Sequence, residues 1–155
     1  MPPVFETVGV KANDFLSIYR ADSLVQTLAE GIRASTHSKI HIKGLHGSLD
    51  AVIFASVIKS VRASHIIIAQ DKEGASYLLN DLQNLLGEKE VLFFPMSYRR
   101  PYEYHEIENA NILMRSEVLN QISNHPDGNV IVTYPEAISE KVINKKSLAT
   151  NTFLI

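Results

Sequence analysis

The apolar positions of this chain follow two alternating periods. Leu24, Leu28 and Ile32 recur at helical spacing, and Asp22 or Ser23 can cap a helix running to about Ala34. The period then shortens. Ile40 and Ile42 alternate with Lys39, His41 and Lys43, which predicts a strand over 39–43. Residues 49–62 carry Leu49, Val52, Ile53, Phe54, Val57, Ile58 and Val61, apolar on so many sides that the predicted helix must be largely covered by protein. The run Ser64–Ala69 reads as a strand buried on both faces of a parallel sheet. Leu78, Leu82, Leu85 and Leu86 form one stripe of a helix over 74–86 that Gly87 ends. Residues 90–94 predict a third strand closed by Pro95, 107–123 a helix, 129–133 a fourth strand, and Pro135 opens a short helix to about Lys141.

Strand and helix therefore alternate from residue 39 onward, which argues for a parallel sheet with right-handed crossovers and helices on its faces, a three-layer α/β/α domain. Residues 1–21 read as an N-terminal extension with an apolar cluster at Phe15, Leu16, Ile18 and Tyr19. The main unit spans 22–146. Residues 147–155 turn apolar and β-prone at Thr152-Phe153-Leu154-Ile155, as if opening a further subdomain, so the chain reads as a fragment of a longer protein.

Composition narrows the classes of function. A length of 155 residues suits one domain with a real core, and a net charge of −2 provides no basic field for non-specific binding of nucleic acid. The absence of cysteine excludes disulfides and thiolate metal sites. The N-terminus lacks a basic region followed by an apolar core, and no apolar run approaches the roughly 20 residues that span a bilayer. These features suggest a soluble cytoplasmic domain.

The chemistry is most open to question at the glycine loop 44–48, between the predicted strand at 39–43 and the long apolar helix. A phosphate-binding loop would sit at such a helix N-terminus, whose N–H groups and positive dipole end favour anions. A working loop reads G-x-x-x-x-G-K-[ST]. Counted from Gly44, the glycine, lysine and hydroxyl positions hold Leu49, Asp50 and Ala51. A lysine at about 4 Å contributes about 4 kcal/mol of attraction at an effective dielectric near 20, and a carboxylate repels by a similar amount. Gly44 and Gly47 are then expected to shape a turn, with Ser48 capping the helix.

Three other places carry candidate chemistry. Asp71 in Gln70-Asp71-Lys72-Glu73 is either a ribose or metal carboxylate or, more commonly for this pattern, the cap of the following helix. The segment 98–106 interleaves Tyr98, Tyr102 and Tyr104 with Arg99 and Arg100, a composition found at interfaces, but Glu103 and Glu106 weaken any affinity for nucleic acid. His41 and His46 flank the glycine loop without further ligands at metal spacing. No catalytic constellation, metal site or cofactor site is expected in this chain.

The ordered fragments GLHGSLDAV, IIIAQDKEGASYLLNDLQNLLG, VLFFPMSYRRPYEY, ILMRSEVLNQI and NVIVTYPEAISEKV resemble the N-terminal, UvrB-like module of bacterial transcription-repair coupling factors. The most specific part is Phe94-Pro95, then Pro101-Tyr102-Glu103, followed by Arg115. The resemblance implies a P-loop-like architecture whose nucleotide chemistry is lost, a role as scaffold in recruiting UvrA, and packing against other domains of the same protein. It places the ATP- and magnesium-dependent DNA translocase motor and the segment that contacts RNA polymerase downstream. It also places most of the UvrA-binding surface in an inserted domain beginning at about Thr152. Tyr102, Glu103 and Arg115 are expected to fix the loop at 95–106, with Arg115 paired to a carboxylate. Only 19 residues separate Pro95 from Arg115, too few for the long damage-probing hairpin of UvrB beside the predicted helix. The alternative is a nucleotide- or nucleic-acid-binding ATPase subdomain, competent only with the rest of its protein.

Overall fold

A computed structural model of the protein describes residues 11–34, 37–97 and 109–142. It is an α/β structure with a three-stranded parallel sheet flanked by helices. Helices α1 (Ala12–Ala21), α2 (Ser23–Ala34) and α3 (Leu49–Ser60) precede strand β1 (His65–Ile68). Helix α4 (Lys72–Leu86), a 3-10 turn at Glu88–Glu90, strand β2 (Val91–Phe93), helix α5 (Asn109–Asn124), strand β3 (Val130–Thr133) and helix α6 (Pro135–Ser139) follow. The strand order is β1-β3-β2, with Ile66 opposite Ile131, Ile68 opposite Thr133 and Phe93 opposite Val132. The last strand to arrive is thus the central one, and all four of its residues are buried.

Local signals account for most element ends. The Asp22 carboxylate accepts from the N–H of Leu24 at 2.8 Å and of Val25 at 3.4 Å, which starts α2. Asp71 accepts from the Gly74 N–H at 2.7 Å and starts α4 two residues earlier than the leucine stripe predicts. Gly87, at φ +118°, ends α4. Leu82 and Leu86 of the stripe enter the main core with Val91, Val130 and Val132 from the sheet and Ala51, Val52 and Ala55 from α3. Leu16 of α1 is 2% exposed in that same core, so the N-terminal extension from residue 12 packs with the main unit. Helix α3 is covered by α1, α2 and α4, the burial its all-round apolarity predicts.

Two strand expectations are corrected. Residues 38–45 carry no ladder pairing, although Ile40 and Ile42 alternate as predicted. Ile40 approaches Gly31 of α2, and both isoleucines remain 40–47% exposed. Alternation selects extended backbone, whereas a strand also needs an edge to pair with, and this segment lies against helices. The run at 64–69 does form a strand over His65–Ile68, but it is half-buried on one face and exposed on the other. Ile66 is 63% exposed and Ile68 57%. By register they share a face with Ile131 and Thr133, which are covered, so that face is closed over the middle of the sheet and open over β1.

Candidate functional site

The glycine loop has the backbone of a tight turn and little else. Gly44 and Gly47 have φ of +84° and +60°, in the left-handed region, and a Cβ at either would meet nothing within 4 Å. Backbone conformation alone therefore requires glycine there. The Leu49 N–H donates to the His46 carbonyl at 3.4 Å and the Val52 N–H to the Ser48 carbonyl at 3.2 Å, which turns the chain into α3. Ser48 does not cap with its side chain, because its φ and ψ of −76° and 12° lie away from the extended geometry of a cap. Asp50 takes a related place: its carboxylate accepts from the Ala51 N–H at 2.7 Å. A negative charge held in the first turn satisfies the helix dipole from within the protein. Leu49 is half-buried and Ala51 fully buried, so neither offers a polar group to a phosphate. His41 and His46 are exposed, and among the described residues no group of three metal-ligating side chains occurs.

The densest polar chemistry lies where β2 and β3 end. In an open parallel sheet this is the side on which ligands bind. The chain leaving β2 at Phe94–Ser97 has no strand to pair with beyond the Phe94 N–H, which donates to the Val132 carbonyl at 2.9 Å. Side chains supply the remaining partners. The Thr133 hydroxyl donates to the Phe94 carbonyl at 2.9 Å, and Asn111 donates to the Met96 carbonyl at 3.1 Å. The Met96 N–H donates to the Tyr134 hydroxyl at 2.9 Å, and the Ser97 N–H to Glu140 Oε2 at 2.8 Å. The Ser97 hydroxyl is also bound to Glu140.

Arg115 is at the centre of this knot. Helix α5 presents it together with Val118 to the interior, in a position that an aliphatic side chain would ordinarily fill. Its Nη1 donates to the carbonyls of Pro95 at 2.7 Å and Ala137 at 3.1 Å and lies 3.3 Å from Glu140 Oε2. The guanidinium carbon stacks 4.1 Å from the centre of the Phe94 ring. The side chains of Arg115 and Glu140 are 7% and 11% exposed, so the pair is desolvated and depends on this complete set of partners. One group is left over. Nη2 is buried without a hydrogen-bond partner, alone in this among the buried side-chain nitrogen and oxygen atoms of the described residues.

The residues named from the sequence thus separate. Asp71 is a helix cap, and Arg115 is an interior anchor whose carboxylate is Glu140. Arg99, Arg100, Tyr102 and Glu103, with the rest of 98–108, lie outside the described residues, as do 1–10 and 143–155. Sequence reasoning missed Ser97, Asn111, Thr133, Tyr134 and Glu140. The one available signal was a hydroxyl pair, Thr133-Tyr134, closing an otherwise apolar strand. No protein-family model, no characterised protein and no solved structure matches the chain.

Proposed function

We propose that this chain is a non-catalytic, UvrB-like α/β module of a bacterial transcription-repair coupling factor, acting in the cytoplasm in transcription-coupled nucleotide excision repair. In this reading the domain has a three-layer, P-loop-like architecture with a decayed loop. It scaffolds UvrA recruitment and packs against other domains, while ATP hydrolysis, DNA translocation and contact with RNA polymerase belong to other parts of the parent protein. The observation that supports it best is Asp50 on the first-turn N–H of α3, an anion of the protein where a nucleotide would need its own. The arginine anchor on the Pro95 carbonyl gives the ordered resemblance a structural rationale, since Phe94, Pro95 and Arg115 act together.

The alternative, an ATPase subdomain competent only with the rest of its protein, draws support from β1 lying at the edge of the described sheet, where further strands could pair. The two readings differ in one assay. The parent protein with Asp50→Ala should keep its ATPase rate and its UvrA binding within about twofold, as a change remote from both sites does. A several-fold gain in ATPase rate or nucleotide affinity in that variant, with UvrA binding retained, would favour the alternative, because removing a carboxylate from a working phosphate site removes repulsion.

A further inference from the structure

Among the described residues, strand β1 is paired on one side only. The His65 and Ala69 N–H groups donate to the carbonyls of Asn129 and Thr133, at 2.7 and 2.9 Å, which fixes the phase of the strand. Backbone groups alternate sides along a strand, so the N–H and C=O of Ile66 and Ile68 point away from β3. No hydrogen bond among the described residues reaches them, and both residues lie open to solvent. An apolar cavity of about 290 Å³ lies at the start of this edge. Its walls include Ile32 of α2, Phe54 and Val57 of α3, Ile40 and Ile42 of the segment 38–45, and His65, where β1 begins. No residue of β2, β3, α4 or α5 lines it, so it opens on the side of β1 away from its partner strand. The alternate positions Lys39, His41 and Lys43 stay out of the cavity and are exposed. Neither lysine makes an ion pair among the described residues, which leaves this rim positive.

We infer that β1 is a docking edge for an extended segment of a partner protein, with aliphatic residues at the positions that face the cavity and Glu or Asp at the positions between them. The main-chain groups of Ile66 and Ile68 supply the pairing, and alternate side chains supply the selectivity. Ile40, Ile42 and Phe54 receive the aliphatic side chains, and Lys39 and Lys43 select the carboxylates through charge complementarity. The site goes beyond the scaffold reading, and its geometry stands whether or not the chain belongs to a coupling factor.

The test is a nuclear magnetic resonance titration of the 155-residue chain with N-acetyl-Val-Glu-Val-Glu-Val-amide, its fully N-methylated form, and the matching peptide with Lys in place of Glu. In the free chain the Ile66 and Ile68 amides should exchange with solvent faster than those of Ile67 and Ala69, which face β3. The Glu peptide should give saturable shifts at the Ile66 and Ile68 amides, slow their exchange, and shift the methyl groups of Ile40 and Ile42. The N-methylated form, which cannot donate to a strand, should not bind. The Lys peptide should bind about tenfold more weakly than the Glu peptide. Lys39→Gln combined with Lys43→Gln, both at exposed positions, should bring the two peptides within about twofold of each other. Four results would each overturn the assignment: equal binding of the Glu and Lys peptides, binding of the N-methylated form, saturation without change at Ile66 and Ile68, or no saturable shift with any peptide. Self-association of the free chain through the Ile66 and Ile68 amides would also overturn it, because a second copy would then occupy the edge.

Discussion

Arg115 stands in the inward stripe of α5, and its worth depends on its partners. Removing the cation alone, as Arg115→Met, leaves Glu140 buried and unpaired and frees the carbonyls of Pro95 and Ala137. The expected loss is about 3–5 kcal/mol in denaturant unfolding. The double variant Arg115→Met with Glu140→Leu should recover part of that, since an apolar pair carries no desolvation cost, although the Ser97 donors would then lose their acceptor. If the double variant were less stable than the sum of the single ones, the ion pair would not be the coupling element. Tyr134→Phe is a smaller probe: it removes the oxygen that accepts from the Met96 N–H and should cost about 1–2 kcal/mol. Gly47→Ala should cost about 1 kcal/mol through the left-handed φ of +60° alone, because its Cβ would meet nothing.

At the scale of the element, the sequence was most legible where a local signal decides the structure. The helices α2, α4 and α6 begin at a capping acid or a proline, and the leucine stripe of α4 and Gly87 fix its face and its end. Asp71→Ala should accordingly cost about 1 kcal/mol, and Leu82→Ala, at a position with no exposure, about 2–5 kcal/mol, both read from chemical denaturation. Legibility failed where pairing decides. Ile40 and Ile42 have the alternation of a strand, but nothing within the segment says whether an edge awaits it. The isoleucine run of β1 likewise specifies extended, branched backbone without saying that it would end at the rim of the sheet. The knot at 94–97 was half legible. An arginine among apolar helix positions implies a buried carboxylate, yet Glu140 lies far along the chain and only the fold brings it to Arg115.

For the whole molecule, the described residues form a sheet with a fully buried centre, one well-covered face and an opposite face that is bare over β1. Among the described residues β1 is also an edge strand, and an edge flanked by exposed isoleucines invites pairing with another chain. Replacing Ile66 and Ile68 by lysine should change stability by less than about 0.5 kcal/mol, since neither is buried, and should raise solubility in a sedimentation assay. A large loss of stability would mean that these side chains pack against residues beyond those described.

The central claim is that the glycine loop keeps a turn at the head of α3 while Asp50 closes that helix end to nucleotide. Calorimetric titration of the 155-residue chain with Mg-ATP tests it most directly. The expected result is no saturable heat at millimolar nucleotide, for the chain as it stands and equally for Asp50→Asn, in which the lysine and hydroxyl of a working loop are still missing. Saturable Mg-ATP binding by the unaltered chain would contradict the account.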